Sequence, residues 1–323
     1  MHLLFKDTGG TTLQTRVEAL FEDQLQNWDL ARANYLGLQK AVTKSLPFSP
    51  HAELRVQFNP ERIYSTSAKV DSKSISERPC FLCPAHLPGQ QKAIPFGEDY
   101  LVLVNPFPIF TRHLTIPIKQ HSPQQLKGRF QDMLRLAKEL DNFVVFYNGP
   151  RCGASAPDHF HFQAGNKGFM PIEQDFETPL KTLLFEDNGS TIHSIDSYLR
   201  QVLVFSGADT NWLETQLEKA IAVLGRFEPE HQEPMINILA SWNHDHWRIF
   251  LFPRKVHRPW QFFAEGPQKI MLSPAAVDLG GVLIIPRQED FDKLDLETIR
   301  DILGQVTLES EKWEQLKNAF KNY

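Results

Sequence analysis

The chain has 323 residues, of which 41% are hydrophobic and 23% charged, and its formal net charge is −5. This length permits two domains or one large duplicated domain. No apolar run approaches the roughly 20 residues that cross a bilayer, and a negative net charge offers nucleic acid no broad attraction, so we expect neither a membrane nor a nucleic-acid partner. The amino terminus lacks the features of a signal peptide, which makes the cytoplasm the expected compartment.

Hydrophobic spacing in the amino-terminal part predicts a helix followed by strands. Apolar side chains recur at helical spacing over residues 12–44, and "ELRVQFNPERI" alternates as a strand does. Further predicted elements are strands at 100–104 and 113–118, a capped helix from Ser122 and Pro123 to about Leu140, and strands in "NFVVFYNG" and "HFHFQ". These elements indicate a mainly antiparallel sheet with helices.

The carboxy-terminal part repeats this outline weakly. Strand-like "IDSYLRQVLVFSG" precedes helical residues 210–226, and the strands "PMINILASW" and "WRIFLFPRK" flank the turn "NHDH". "GGVLIIPRQEDF" then precedes a helix near 294–322. We predict an α+β fold with a mostly antiparallel sheet flanked by helices, in which residues 1–169 and 170–323 form two similar halves packed as one unit.

Three cysteines are too few for a disulfide framework in a chain of this length. Cys80 and Cys83 form a CxxC in "RPCFLCP", and Cys152 stands alone. In a cytosolic protein a CxxC is usually half of a metal site or a redox pair, and here Pro84 and "HLPGQQ" replace the helix start of a thioredoxin-like motif. Metal binding is therefore favoured, with a structural pair of buried thiols as the alternative.

The stretch "DHFHFQAG" alternates polar and aromatic side chains. In a strand, His159, His161 and Gln163 share one face, while Phe160 and Phe162 point the other way and pack into the core. An exposed polar strand face is the alternative. Two histidines and a carboxamide that follow the small-residue loop "PRCGASAPD" favour a functional site.

"GASAPDHFHFQ" resembles the HxHxQ motif of the transferase branch of the histidine-triad superfamily. That branch includes galactose-1-phosphate uridylyltransferases, diadenosine tetraphosphate phosphorylases and GDP-L-galactose phosphorylases. "YLVLVNPFPIFTRHLTIPIKQH" resembles the strand, turn and strand of the same fold. The similarity is fullest over residues 80–165 and weaker over 170–323, and it implies a catalytic first half, 1–169, and a degenerate second half, 170–323.

The resemblance implies that His161, the second histidine of the motif, attacks the α-phosphorus of a nucleotide and holds the nucleotidyl group as a phosphoramidate. Gln163 takes the place of the third histidine of the hydrolase branch. A neutral carboxamide can hydrogen-bond a phosphate oxygen but cannot protonate a leaving group at neutral pH. The expected leaving group is therefore already a stable anion, such as a sugar phosphate, ADP or inorganic phosphate.

A structural zinc ion is also implied by the resemblance, because two thiolates and two imidazoles suit tetrahedral zinc and leave no open position. The implied ligands are Cys80, Cys83, His121 and His159. His113 and His86 compete with His121 for its place.

Substrate contacts are expected from both halves. Small residues let backbone N–H groups approach a phosphate, arginines supply charge, and the related fold holds the nucleoside near "NPF". The candidates are Asn105, Asn148, Arg151, Gly153, Ser155 and Arg254. Uridylyltransferases have one residue fewer between the loop serine and the histidine pair, which makes the contact of Ser155 less secure. His244 and His246 are interpreted as solvated histidines of a hairpin turn.

These features predict a nucleotidyltransferase or phosphorylase that acts on an NDP-sugar or a dinucleoside polyphosphate, with inorganic phosphate or a sugar phosphate as acceptor. A nucleotide hydrolase and a zinc-stabilised nucleotide sensor are the alternatives. The intact His161 beside Gln163 disfavours the sensor, since binding alone does not need a nucleophile. The repeat is compatible with a homodimer, and the residues identify neither the base nor the sugar.

Overall fold

The computed structural model describes residues 3–6, 12–63, 72–178, 180–196 and 198–321. Its helices are α1 (Leu13–Asn27), α2 (Asp29–Leu38), α3 (Ser72–Ser76), α4 (Phe130–Glu139), α5 (Ile172–Asp175), α6 (Thr210–Gly225), α7 (Trp260–Phe263), α8 (Ala276–Leu279), α9 (Gln288–Lys293), α10 (Leu296–Val306) and α11 (Ser310–Lys321). Its strands are β1 (Val42–Ser49), β2 (Ala52–Phe58), β3 (Ala93–Phe96), β4 (Tyr100–Val104), β5 (His113–Pro117), β6 (Phe143–Asn148), β7 (His161–Asn166), β8 (Lys181–Asp187), β9 (Ser190–Ile195), β10 (Val202–Gly207), β11 (Ile236–Asn243), β12 (His246–Pro253) and β13 (Val282–Ile285). Within these ranges, no helix combines the length and apolar character needed to span a membrane.

Ten strands form one antiparallel sheet in the order β3-β4-β5-β7-β6-β11-β12-β10-β9-β8. The two central strands, β6 and β11, join an amino-terminal set of five strands to a carboxy-terminal set. Each set has its strands in the order first, second, third, fifth, fourth, and a long helix, α4 or α6, connects the third to the fourth. The large antiparallel sheet flanked by helices confirms the predicted α+β class, whereas the division at residue 169 stays a prediction.

Alternate side chains of the large sheet contribute to two hydrophobic cores, one on each face. Val145 and Tyr147 of β6 belong to the core under α1, α4, α6 and α11. Val144 and Phe146 belong to the opposite core, which includes residues of β2, β13 and α10. A three-stranded sheet, β1-β2-β13, lies on this second side, and β13 runs parallel to β2. Burial on both faces explains why the central strands read as continuous apolar runs.

Most predicted elements are present, but the helix boundaries differ. The helix predicted over 12–44 is only partly confirmed. An extended backbone at the buried Trp28 separates α1 from α2, and residues 42–44 already belong to β1. The predicted carboxy-terminal helix is divided into α10 and α11. Strand β4 coincides with the predicted 100–104, and the hairpin around "NHDH" is confirmed by β11 and β12.

The helix predicted from Ser122 begins eight residues later, at Phe130. Gln124 lies in the intervening segment and is fully buried. Its Nε2 donates to the carbonyls of Asn148 and His161 at 3.0 Å each, and its Oε1 accepts from the His161 N–H at 2.8 Å. The side chain thus supplies hydrogen bonds to the start of β7 and the end of β6, and these tertiary bonds outweigh the local capping signal.

Glu233 connects the two strand sets at a buried position. Its Oε1 accepts from the Tyr147 hydroxyl and its Oε2 from the Leu126 N–H, both at 2.7 Å. Burial raises the pKa of Glu233 from 4.5 to about 7. Between pH 4.5 and about pH 7, the Glu233 carboxyl is ionised in the unfolded chain but keeps its proton in the folded protein. The contribution of Glu233 to the free energy of unfolding therefore falls as the pH rises through this range.

We therefore expect Glu233→Gln, which resembles the protonated acid, to be more stable relative to wild type at pH 8 than at pH 5. The difference should be on the order of 2 to 3 kcal/mol. Urea unfolding at the two pH values measures it, and Glu218→Gln at an exposed position of α6 is the control. Equal pH dependence in wild type and Glu233→Gln would contradict the expectation.

Candidate functional site

A cavity of about 620 Å³ lies on the face of the large sheet opposite to α4 and α6. His161 and Gln163 of β7 line it, and Phe146, the cross-strand partner of Gln163, lines it on the same face. The neighbouring Phe160 and Phe162 are fully buried on the helical side, as the alternation predicted. Residues 273–278 of the carboxy-terminal part form a further section of the wall. Both parts of the chain therefore build one site.

His161 is oriented by the backbone around it. Its Nδ1 lies 2.8 Å from the carbonyl oxygen of His159, so Nδ1 carries the proton and donates. Burial lowers the pKa of His161 to about 4, which keeps the ring neutral near pH 7. Nε2 is consequently the ring nitrogen with an available lone pair, as a nucleophile requires.

The polar residues predicted around His161 are brought together in the wall of the cavity. Those that line it are Asn105, Asn148, Gly153, Ser155, His161 and Gln163. Asn105 accepts from the Phe107 N–H and donates to Thr115 Oγ1, both at 2.8 Å, so its amide is fixed. That these lining residues contact a substrate stays a prediction.

The loop between β6 and β7 depends on a glycine. Gly153 has φ +112°, and a Cβ there would lie 2.6 Å from the Cβ of Ala275. A larger residue would be strained and would push the loop away from the carboxy-terminal wall. Close contact between Gly153 and Ala275 thus joins the predicted phosphate loop to the second half.

Three arginines of the described part of the chain line the cavity and were not predicted from the sequence: Arg62, Arg78 and Arg258. Arg78 donates to the carbonyl oxygen of Ser155 at 3.2 Å and pairs with Asp158 at 3.5 Å, which ties it to the same loop. Arg258 donates to Ser273 Oγ at 3.0 Å. Guanidinium groups are well suited to phosphates, so the cavity concentrates positive charge in a chain that is acidic overall. Of these three arginines, Arg78 has a local signal in the sequence, since it lies two positions before Cys80.

Arg151 and Arg254, which were predicted as phosphate contacts, lie elsewhere in the structure. Arg151 pairs with Glu228 and donates to the carbonyl oxygen of Glu233 at 3.2 Å. Arg254 is almost completely buried, and its donors bond the carbonyls of Val306, Pro274, Val256 and His257 and the side chain of Asn237. Neither is among the described residues that line the cavity.

The predicted metal ligands form one cluster beside the start of β7. Cys80, Cys83, His121 and His159 each offer one ligand atom, and these atoms lie within 4.8 Å of one another. Cys80 Sγ is 3.2 Å and Cys83 Sγ 3.5 Å from His159 Nδ1, and Cys83 Sγ is 3.3 Å from His121 Nδ1. Donors at these separations can surround a single ion tetrahedrally.

Hydrogen bonds around the cluster agree with its use as a metal site. His159 Nε2 donates to the carbonyl oxygen of Ile118 at 2.7 Å, which leaves Nδ1 unprotonated and directed at the sulfurs. The competing histidines lie outside the cluster. His86 Nδ1 bonds the carbonyl oxygen of Cys80 at 2.9 Å, and His113 Nε2 is 3.1 Å from Gln163 Oε1.

Solved structures of yeast Ap4A phosphorylase Apa2 share this fold. One superimposes with a TM-score of 0.62 at 18% identity, covering 92% of this chain and 94% of the other. The complex with Ap4A gives 0.61 at 17% identity, with 92% and 97% covered. The chain therefore shares the fold of these solved structures.

Comparisons of sequence give a narrower assignment. Residues 20–166 match the family model "Domain of unknown function (DUF4922)", and residues 174–323 match "GDPGP1-like, C-terminal domain". GDP-L-galactose phosphorylase 2 of Arabidopsis thaliana is 27% identical over 228 residues, which are 67% of this chain and 50% of that protein. The predicted resemblance to the phosphorylases of the histidine-triad superfamily is confirmed, and the carboxy-terminal half is similar to the GDPGP1-like domain.

Proposed function

We propose that this protein is a nucleotidyltransferase of the phosphorylase type, acting on an NDP-sugar or a dinucleoside polyphosphate through a nucleotidyl group on His161. The observation that carries the proposal is the state of His161, whose Nδ1–H is fixed by the His159 carbonyl while its Nε2 lone pair is available in an arginine-lined cavity. The similarity to proteins named GDP-L-galactose phosphorylase and Ap4A phosphorylase supports it.

In the first step, the His161 Nε2 lone pair attacks the α-phosphorus of the substrate. A P–N bond forms, the bond from phosphorus to the leaving oxygen breaks, and its electron pair stays on the sugar phosphate or nucleoside polyphosphate. The cavity arginines balance the negative charge on the transferred group. Gln163 donates hydrogen bonds but no proton, so the leaving group departs as an anion.

The second step returns the enzyme to its starting state. An oxygen of inorganic phosphate or of a sugar phosphate attacks the nucleotidyl phosphorus, the P–N bond breaks, and Nε2 regains its lone pair. The backbone bond to Nδ1 keeps the same ring nitrogen available throughout both steps.

We propose that the cluster of Cys80, Cys83, His121 and His159 holds a zinc ion. Two sulfurs and two imidazole nitrogens within 4.8 Å fit the ion, and four protein ligands leave no position for water. When bound, the metal supplies a cross-link between residues 80–83 and 121 and the chain immediately before His161. Its role is therefore structural.

A panel of labelled NDP-sugars and dinucleoside polyphosphates, incubated with and without inorganic phosphate, tests the proposed reaction. Products identified by mass should be a nucleoside diphosphate together with the anionic leaving group, and their formation should depend on phosphate. Equal turnover without phosphate would identify a hydrolase instead. Binding without turnover would identify a nucleotide sensor.

Gln163→His should raise hydrolysis relative to phosphorolysis. An imidazole near its pKa can carry a proton to the leaving group or take one from water, which an amide cannot do. The ratio of the two products, measured at saturating phosphate, should shift towards hydrolysis by roughly tenfold or more.

The control for this substitution is Gln91→His, which adds an imidazole at another position of the cavity wall. It should leave the product ratio near that of wild type. An unchanged ratio in Gln163→His, with a wild type that hydrolyses equally well without phosphate, would contradict the transferase assignment.

A further inference from the structure

Gln163 and Asn148 line the same cavity as His161, and each of these amides is hydrogen-bonded by a buried residue that is not among the described lining residues. We propose that buried positioning residues fix the side-chain amides of Gln163 and Asn148 so that their NH2 groups face the phosphate groups of the substrate. The positioning residues are His113 for Gln163, and Asn237 with Arg254 for Asn148. This inference rests on the proposed function, because it requires a phosphate-bearing ligand in this cavity.

The direction of the Gln163 amide follows from the tautomer of His113. The Ile109 N–H donates to His113 Nδ1 at 3.2 Å, so Nδ1 carries a lone pair and the proton of the neutral ring is on Nε2. Nε2 lies 3.1 Å from the amide of Gln163. Since Nε2–H can only donate, the amide oxygen must face it, and the NH2 group remains for the cavity.

The surroundings of His113 keep its imidazole in one protonation state. It is fully buried in β5, with the rings of Phe110 and Phe146 at centroid distances of 5.3 and 6.0 Å. Burial lowers its pKa to about 3, so the ring is neutral at physiological pH. The Nε2–H of His113, which orients Gln163, is therefore present throughout the physiological pH range.

Asn148 is oriented by two donors that meet at one oxygen. Its Oδ1 accepts from the Ala276 N–H at 2.9 Å and from Asn237 Nδ2 at 2.8 Å. A backbone N–H can only donate, so the atom that faces Ala276 is the oxygen. Both of its lone-pair directions are then used within the protein, and the NH2 group is the part of the amide left for a ligand.

Arg254 fixes Asn237 in the same way. Its Nη1 donates to Asn237 Oδ1 at 2.7 Å, and a guanidinium has no acceptor, so this oxygen must face the arginine. The NH2 group of Asn237 is thereby directed to Asn148 and to the Cys152 carbonyl at 2.8 Å. Arg254 and Asn237 are both buried.

Both amides thus present donors to the cavity. A phosphate ester offers only acceptor oxygens near neutral pH, and a rotated amide would bring its own oxygen against them. The penalty for an unpaired or repelled buried group exceeds the gain from an ordinary hydrogen bond. The positioning residues consequently favour the binding of a phosphate-bearing ligand. Those that orient Asn148 belong to the carboxy-terminal half.

A pair of substitutions at His113 tests the first set. His113→Leu removes both the acceptor of the Ile109 N–H and the donor to Gln163, whereas the NH2 group of glutamine in His113→Gln can keep an N–H donor directed at Gln163. Calorimetric titration with ADP, GDP, UDP and CDP supplies the probe. For each nucleotide that wild type binds, we expect His113→Leu to lose roughly tenfold in affinity and His113→Gln to recover most of it.

Double-mutant cycles separate positioning from a general structural effect. In a Gln163→Ala background, His113→Leu should cause no further loss of nucleotide affinity. Asn237→Asp, which keeps an acceptor oxygen for Arg254 but loses the donor to Asn148, should weaken binding when Asn148 is present and not in an Asn148→Ala background. Additive losses in both cycles would overturn the inference while leaving the proposed function intact.

A spectroscopic measurement on the wild-type protein gives an independent test. Nitrogen-15 spectra of protein labelled in histidine should show His113 as the neutral tautomer with its proton on Nε2 between pH 6 and 8, within roughly the range where free histidine titrates. A proton on Nδ1, or a charged ring, would overturn the inference. Failure of wild type to bind any of the four nucleotides would overturn both the inference and the proposed function.

Discussion

Replacing His161 by alanine should lower nucleotidyl transfer by at least about a thousandfold while the protein stays folded. The covalent route depends on the Nε2 lone pair, and no other group at that position can supply it. The fold should persist because the side chain lines an existing cavity and its backbone N–H keeps the bond to Gln124. Turnover of the best substrate from the panel, together with circular dichroism, measures the two parts of the expectation.

The matched control is His246→Ala, which removes the second histidine of the other HxH in the chain. His246 lies at the start of β12, beside the turn, and pairs with Asp245. This variant should keep the turnover of wild type. After incubation with labelled substrate, wild type should also carry an acid-labile nucleotidyl group that His161→Ala lacks. Near-normal turnover in His161→Ala would remove the nucleophile assignment.

The part of the site that could be predicted from the sequence is the part that lies close together along the chain. His161 and Gln163 follow a period of two, which sets them on one face of a strand whatever the strand packs against. The intervening Phe160 and Phe162 are apolar and fully buried, so the alternation also identified the core face. The pairing of the CxxC with distant histidines came from the resemblance and not from spacing.

Arg62 and Arg258 could not be predicted as cavity residues, because nothing in the neighbouring sequence distinguishes them. Arg62 follows β2 and Arg258 follows β12, and only the folded arrangement brings both to the same wall. A lone arginine near a strand end has many ordinary uses, such as the pairing of Arg151 with Glu228. Long-range contact, rather than residue type, decides which arginines line the cavity.

Arg254, which the sequence singled out, lies outside the lining of the cavity. The sequence singled it out as a cation at a strand end, and a phosphate contact was the simplest interpretation. In the structure its guanidinium is surrounded by carbonyl oxygens and the Asn237 amide, and Asn237 in turn bonds Asn148 in the cavity wall. The burial of a strand-end residue depends on the segments that cover it, here residues 256–257, 274 and 306.

Removing a cysteine of the proposed zinc cluster should have the largest effect on stability. We expect the purified, untagged protein to contain about one equivalent of zinc, and Cys80→Ser or Cys83→Ser to lose it. A closed structural site contributes directly to folding, so each variant should lose several kcal/mol, or on the order of 5 to 10 °C in Tm. Metal analysis and thermal unfolding measure the two losses.

Cys152→Ser is the control for replacing a cysteine by serine outside the cluster. Cys152 is buried outside the cluster, and its Sγ donates to the Ile236 carbonyl at 3.0 Å, a bond that a serine hydroxyl can replace. It should keep both the metal and most of the stability. Activity should fall in Cys83→Ser as well, because the cluster holds His159, whose carbonyl orients the His161 ring. A zinc-free wild type, or a stable and active Cys83→Ser protein, would show that the chain before β7 is held by the two thiols and the Ile118 bond alone.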